Sequence, residues 1–585
     1  VGSYSGWLGG TGENWERGPY YLDGLLPLSW YLKDKKHWEL ACRFVEWTLG
    51  STDETGNFGP EASKQDYWSR FVMLKVLIQS YEIKKDARVL ELLKKYFDYL
   101  NKEIPKRPMI QWSKARIGDL LYCIHWYCEQ TGETQGELVA ELRKQALDWN
   151  GVFKEFPFTR PSEYYYNWKS LLEHYQKPFV DDIMKYHTNH IVNLTMGFKY
   201  PAMLSYFFDD MDFEKITEMG LRSAHRYHGV VSGVVNGDEH LAGNNPSRGS
   251  ELCSVVEYMF SLQTMAEAFG TGRYTDQIEK LAYNALPATI TEDFMAHQYL
   301  QQANQVLVSK AKRDWFNTND ESNLFGLEPN FGCCTANMHQ GWPKLLKSMW
   351  LKEDENTLIS MVHGPSSIVT ELAGNRVSIS EETEYPFKNR ICYRVTEGNA
   401  PSAVFRIWIP EWCKDFRVCI DGAWKNRERT EDYLTVHGLH AGSEMTVEFS
   451  MDIRKSFWYK DSMAIERGPL VFALDMKEQW KKIREVAGVS DFEIYPESPW
   501  NYAIPKNGEV EVEEKAVSDV PFSKNNPPIV FNVTGKCVES WKIENNSAGD
   551  LPQSPVKAEG EAEKIRLIPF GCTKLRISQF PYYED

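Results

Sequence analysis

Cys333 and Cys334 stand side by side in the stretch FGCCTANMHQ. Disulfide geometry does not suit neighbouring residues. The pair is therefore read as buried small hydrophobes, as halves of separate bridges, as a redox pair, or as two ligands on one metal. Upstream, DEHLAGNNPSRGSELCSVVEYMF places Glu251 and Cys253 in the first turn of a helix predicted to start near Ser250, a plausible N-cap. Residues i and i+2 do not share a helix face. At a helix N-terminus the backbone is half in loop geometry, however, and both side chains can converge. Partial positive charge at such an end favours a thiolate, and NMHQGWPKLLKSMW predicts a second helix directly after the cysteine pair. Three thiolates and one carboxylate suit zinc. Neither E-x-C nor C-C is a zinc-finger spacing, so spacing alone leaves two readings: a four-ligand metal site, or three core cysteines and a surface glutamate.

The elements that must position these residues are mostly helical. In HWELACRFVEWTLG, Trp38, Ala41, Cys42, Val45 and Leu49 repeat at helical spacing, with Gly50 as a C-cap. Tyr67, Phe71, Leu74, Ile78 and Tyr81 form a second stripe; Val89, Leu93, Tyr96 and Leu100 form a third. Further helices are predicted near 113–131, 135–148, 164–175, 211–227, 251–268 and 273–285. Ten or more amphipathic helices on short connections predict paired helices closing into a toroid or solenoid, and no fixed repeat of solenoid length is seen. Near residue 356 the period changes to two. In EMTVEFSMDI, Met445, Val447, Phe449 and Met451 alternate with Thr446, Glu448, Ser450 and Asp452, and AVFRIWIP does the same. Short strands between Gly and Pro turns read as a β-sandwich. A second β region follows IRKSFWYKDSMAIERGPLVFALD.

Bulk properties exclude several classes. A chain of 585 residues exceeds one core and predicts two to four domains. A formal charge of −16 argues against a nucleic-acid partner, which needs clustered Lys and Arg. No run of 18 apolar residues predicts a membrane span. The 11 cysteines are odd in number and sparse, unlike a disulfide scaffold; Cys42, Cys123, Cys392 and Cys419 read as core. The 20 Trp, 30 Tyr and 29 Phe residues supply large cores or a sugar-stacking cleft.

Three stretches carry a resemblance. NWERGPYYLDGLLPL, DEHLAGNNPSRGSELC and FGCCTANMHQGWPKL together are similar to glycoside hydrolase family 127, the β-L-arabinofuranosidase family, and its close relatives; AIERGPLVFALD and IPFGCTKLRISQFP extend the likeness more weakly. The resemblance implies an (α/α)6 barrel over 1–355 and β-sandwich domains behind it. The first sandwich would span 356–455 plus a return at 571–585, with the second inserted over 456–570. It implies a zinc ion on Glu251, Cys253, Cys333 and Cys334, with Cys333 also the nucleophile and Glu239 the general acid and base. A retaining glycosidase needs one nucleophile and one acid that later acts as base. Zinc would keep the thiolate deprotonated and temper it enough to leave again. Asp238 is the rival acid.

For sugar contacts the resemblance points to Glu16 and Arg17 in ENWERGPYY and to Arg116 and Asp119 in QWSKARIGDLLY, each equally readable as a structural ion pair. His225 and His228 in SAHRYHG read as core or cap residues. Family members tend to carry a Gly-His-Ala segment that sets a histidine over the sugar. The corresponding stretch here is FKYPAML, with Tyr200 at the histidine position, so histidine-based sugar recognition is expected to be thinned out.

Two substrates stay open for a retaining exo-glycosidase acting on plant cell-wall glycans. One is a terminal β-L-arabinofuranose or a related furanosyl sugar. The other is aceric acid, a carboxylated branched pentose of rhamnogalacturonan II side chains, which Arg17 or Arg116 could hold bidentately. Readings from other classes are a carbohydrate-binding protein with a structural zinc, and a different (α/α)-barrel lyase or uronyl hydrolase lacking a cysteine-rich metal site. The likeness to plant-glycan-degrading bacterial enzymes implies a periplasmic or secreted protein, its signal peptide already removed, with a cytoplasmic location as the alternative.

Overall fold

A computed structural model describes residues 2–165, 186–316, 318–420 and 422–584. The helix expected at 164–175 lies outside the described residues, apart from a 3-10 turn at Ser162–Tyr164. Six helices pack side by side into a closed ring. In order they are Arg17–Tyr31, Trp68–Lys84, Ile117–Thr131, Lys199–Ser205, Leu252–Phe269 and Gly341–Ser348, and the last packs back on the first. This is the inner layer that an (α/α)6 barrel requires. Trp68–Lys84 and Leu252–Phe269 are buried on almost every face, as inner helices must be. Outer helices such as Ala87–Glu103 bury one stripe, made of Val89, Leu92, Leu93, Tyr96, Phe97 and Leu100.

Local chemistry sets the helix ends. Asp34, Asp86 and Asp212 accept hydrogen bonds from backbone N–H groups of the first turns they cap, and Gly132 and Gly270 close helices in the left-handed conformation. The helix ending at Gly50 is capped by Ser51 instead of by the glycine. The expected helix 113–131 breaks at Arg116, whose backbone is non-helical (φ −109°, ψ 20°). Of the four cysteines read as core, only Cys123 is fully buried.

The first β domain is a sandwich. A six-stranded sheet (423–428, 415–420, 444–449, 390–397, 375–383, 366–372) faces a four-stranded one (433–440, 399–408, 357–360, 350–352). Tyr393 of the first packs against Trp350 and Phe405 of the second. The sandwich already begins at Trp350, ahead of the expected boundary at 356.

The second β domain starts at Ile453 and contains an eight-stranded sheet. The expected return of 571–585 to the first sandwich is corrected here. Tyr582–Tyr583 pairs in parallel with Tyr502–Pro505 of the second sheet, Phe580 bridges Met463, and Arg576 bridges Gln305 of the helical domain. Leu575, Ile577 and Phe580 are fully buried there, which gives the segment a more enclosed seat than a sandwich edge. A hairpin, Glu478–Val486 with Val489–Pro496, also reaches back, bridging Ile494 to Val308 and Phe492 to Phe325. These contacts hold the segments around Val308 and Phe325, which follow the strand Leu300–Gln301 paired with Ser250–Glu251. Among the described residues no helix is long and apolar enough to cross a membrane.

Candidate active site

Glu251 and Cys253 converge because the chain changes structure between them. Ser250–Glu251 is a short strand paired antiparallel with Leu300–Gln301, and Glu251 is also the N-cap of the helix Leu252–Phe269. Its side chain therefore follows strand geometry, while Cys253 follows helix geometry. Cys333 and Cys334 are themselves the first two residues of the helix Cys333–Asn337, capped by Gly332, instead of preceding a helix as the sequence led to expect. One donor atom from each of Glu251, Cys253, Cys333 and Cys334 lies within 4.8 Å of every other. Glu251, Cys253 and Cys334 are buried; Cys333 alone is partly exposed.

These residues fit zinc on their own geometry. The buried Glu251 Oε2 has no hydrogen-bond partner among the described residues, and three sulfurs with one carboxylate form a four-donor borderline-soft set. Without a cation the four groups would compete for protons. Burial pushes the Glu251 carboxyl and the Cys253 and Cys334 thiols well up. Hydrogen bonds from Cys253 and Cys334 pull Cys333 well down.

Glu239 is buried in a left-handed backbone conformation (φ 86°), an uncommon state for a non-glycine residue. Neighbouring backbone pairs enforce it: His190 with His240, and Gly237 with both Leu241 and Ser250. Gly237 must be glycine, since a Cβ there would lie 2.3 Å from that of Ile191. The Tyr299 hydroxyl donates to Glu239 Oε1, and His190 Nε2 lies 3.2 Å from Oε2. Burial raises the Glu239 carboxyl to about 8 against the lowering effect of the Tyr299 bond, with the Cys333 charge adding to the rise. Asp238, the rival acid, is committed elsewhere: its carboxylate pairs with Arg248 at 2.9 Å.

Glu16 and Arg116 join the site. Glu16 accepts a 2.6 Å hydrogen bond from Trp68 Nε1 and lies 3.5 Å from Arg116. Burial raises it to about 7, countered by Arg116 and reinforced by the Cys333 charge. The Arg116 guanidinium sits between the Trp68 and Trp112 rings (4.5 and 4.7 Å) and donates to Asn193 and Tyr20. Arg17 stands half-exposed beside Gly332 and pairs with Glu328 at 3.4 Å.

Two expected contacts are corrected. Asp119 is fully buried between Lys75 (2.7 Å) and Lys199 (2.5 Å), so it belongs to a buried ionic network instead of the sugar site. Tyr200 is buried on the helix Lys199–Ser205, and the charges that its hydroxyl senses are Arg143 and Asp148 instead of Cys333 or Glu239. Three histidines nevertheless stand near the site. His187, His190 and His240 cluster beside Glu239 and Trp112. Burial lowers His187 and His190 to about 3 and His240 well below its usual range, so all three are neutral rings able to donate and accept. Sequence reasoning missed these histidines and Tyr299; the H-x-x-H spacing of His187 and His190 was the one available signal. His225 and His228 are structural, as expected. His225 meets the Tyr258 hydroxyl, and His228 meets Phe158 O and Gly243 N.

The family model for the catalytic domain of GH127, β-L-arabinofuranosidase, matches residues 31–347, and that for the GH127 middle domain matches 357–453. No curated protein sequence matches the chain. Among solved structures, one titled glycoside hydrolase is 14% identical, covering 97% of this chain and 92% of its own, with a TM-score of 0.71. A GH127 β-L-arabinofuranosidase from Geobacillus stearothermophilus T6 is 15% identical, with 97% and 89% covered and a TM-score of 0.65. A GH127 β-arabinofuranosidase is 14% identical, with the same coverage and a TM-score of 0.67. At these identities the structures establish the shared fold.

Proposed function

Since the chain belongs to glycoside hydrolase family 127 and is a glycoside hydrolase, we propose that it is a retaining exo-glycosidase of plant cell-wall glycans. In this reading it releases a terminal β-L-arabinofuranose or a closely related furanosyl sugar, with Cys333 as nucleophile and Glu239 as acid and base. The observation that carries the reading is the asymmetry of the cysteine cluster. Cys333 alone is partly exposed, and a Glu239 oxygen lies within 4.8 Å of one from Glu251, a member of the same cluster. A purely structural metal site would be closed on every side, so the carbohydrate-binding alternative has less support.

Zinc, when bound by Glu251, Cys253, Cys333 and Cys334, would hold the thiols deprotonated and make sulfur a better leaving group. In the first step Cys333 Sγ forms a bond to the anomeric carbon as the glycosidic C–O bond breaks, and Glu239 gives its proton to the departing oxygen. In the second, Glu239 takes a proton from water, whose oxygen attacks the same carbon as the S–C bond breaks. Two inversions return the starting configuration. The neutral rings of His187 and His190 suit hydroxyl recognition, because each carries one donor and one acceptor.

Aceric acid is the less favoured substrate. Arg116 is already engaged by Glu16, Asn193 and Tyr20, and the half-exposed Arg17 pairs with Glu328, so neither arginine is free of a partner for a sugar carboxylate. The test is a comparison of β-L-arabinofuranosyl compounds with rhamnogalacturonan II side-chain oligosaccharides, the product anomer being read by NMR. The reading predicts turnover of the arabinofuranosyl compounds with retention. Inversion, or exclusive action on the acidic oligosaccharides, would contradict it.

A further inference from the structure

Each of the six ring-forming helices contributes one charged side chain to the interior of the helical domain, and the signs alternate around the ring. In order they are Asp23, Lys75, Asp119, Lys199, Glu257 and Lys344, all buried. Asp23 lies 3.5 Å from Lys75, Lys75 2.7 Å from Asp119, Asp119 2.5 Å from Lys199, and Lys199 4.0 Å from Glu257. Lys344 closes the ring, 2.6 Å from Asp23 on one side and bonded to Gln340 Oε1 on the other, while Gln340 Nε2 donates to Glu257 Oε1 at 3.0 Å. The three ammonium groups also surround one aromatic ring, Phe260, at 4.1–5.1 Å from its centroid. Three cations and three anions balance, so no net charge is buried.

This network is costly if stability is its whole purpose. Desolvating six ions needs close pairing to offset it, and apolar residues of similar volume would serve a core as well or better. What ionic pairing adds is one permitted register. Glu257 shows where that register is used. It lies four residues, one helical turn, after Cys253, and Asn337 lies four residues after Cys333. Asn337 Nδ2 donates to Glu257 Oε1 at 3.1 Å, and Gln340 bonds to both. The two cysteine-bearing segments are thus tied together one turn beyond their sulfurs, through a carboxylate whose other oxygen faces Lys199.

We propose that Glu257, backed by the alternating charge ring, is a positioning residue that fixes the distance between Cys253 and the Cys333–Cys334 pair. The inference rests on the zinc–thiolate reading above. Any loosening of this tie moves one thiolate relative to the other two, so the metal site changes before the fold does.

Two charge-neutral replacements test it. Glu257→Met with Lys199→Met removes the pair that touches the cysteine segments. Lys75→Met with Asp119→Leu removes a pair from the same ring that does not. Both leave two cations and two anions. The full-length protein is loaded with Co(II), and the thiolate-to-cobalt absorption band and the rate of metal loss to a chelator are measured, with circular dichroism as the check on folding. The expected result is a displaced band and metal loss faster by about 10–100-fold in the Glu257/Lys199 variant, and wild-type values in the Lys75/Asp119 variant. A wild-type band and rate in the Glu257/Lys199 variant would overturn the proposal, as would equal changes in both. If the Glu257/Lys199 variant does not fold, Asn337→Ser, which cuts one tie and leaves the ring whole, must displace the band; an unmoved band overturns the proposal equally. A wild type with no thiolate-to-cobalt band contradicts the zinc reading and the proposal with it, whereas a band that no variant moves contradicts the role of Glu257 alone.

Discussion

Tyr299 donates its hydroxyl hydrogen to Glu239, and the next residue, Leu300, pairs its backbone with Glu251. One two-residue step therefore joins the proposed acid to a proposed metal ligand. The same strand pairing that turns Glu251 toward the cysteines aims Tyr299 at the acid.

This relationship predicts a pH dependence. Glu239 must be protonated to act as an acid, and it holds its proton up to about 8. Cleavage should fall as pH rises through that value. Tyr299→Phe removes a donor that lowers the Glu239 pKa, so the alkaline limb of the kcat/KM profile should move to higher pH. A limb that stays in place, or moves down, contradicts the assignment.

The adjacent carboxylates Asp238 and Glu239 should behave differently. Glu239→Gln removes the proton donor and should lower kcat by about 100–10,000-fold on substrates with poor leaving groups. Asp238→Asn leaves Glu239 in place and weakens the Arg248 pair. It should retain most of the activity while lowering the melting temperature. A reversed ranking would make Asp238 the acid.

Metal ligation is tested by Cys334→Ala and Glu251→Ala, which remove donors and leave the Cys333 side chain itself in place. Both should abolish stoichiometric zinc, measured by elemental analysis of the purified protein, and activity should fall with it. Full zinc retention in either variant excludes that residue from the ligand set.

The charge ring should make stability sensitive to acid. Burial alone would raise the Asp119 carboxyl, but Lys199 and Lys75 hold it well below the usual range; Lys344 and Lys75 lower Asp23 in the same way. Their stabilising effect is complete above an unfolded-state pKa of about 4 and is lost as pH falls below it. Removing one partner alone, as in Asp119→Asn, should cost about 3–5 kcal/mol in denaturant unfolding at neutral pH, with a smaller loss at low pH. Equal losses at both pH values would contradict the ion-pair account.

Much of the site was legible in the sequence, and the parts that were not share a cause. Glu251 with Cys253, and Cys333 with Cys334, drew attention as close pairs along the chain, but their spacing left a core-cysteine reading open, and it was the resemblance to glycoside hydrolase family 127 that joined them into one ligand set. Tyr299 and His190 reach Glu239 from segments 60 and 49 residues away, and apart from the H-x-x-H spacing that includes His190 no local pattern marks them. Tyr200 was misplaced for a helical reason. Its neighbour Lys199 meets Asp119 in the barrel interior, and successive helix residues point about 100° apart, so Tyr200 is turned to another face of the helix. Asp119 could be read from its sequence as a sugar contact or as a structural ion pair, and only Lys75 and Lys199, which reach it from two other helices, decide for the ion pair. In the β region, alternation located the strands of the first sandwich, but the seat of the final segment depends on contacts with Gln305 and Met463 that no alternation encodes.

The central claim is that Cys333 attacks the anomeric carbon, and covalent trapping tests it most directly. The zinc-loaded enzyme is incubated with an electrophile shaped like β-L-arabinofuranose, with and without competing substrate, and the labelled peptide is located by mass spectrometry. The account predicts one label per chain, on Cys333, prevented by substrate and absent from Cys333→Ser. A label on Glu16 or Glu239, or inactivation that persists in Cys333→Ser, would contradict it.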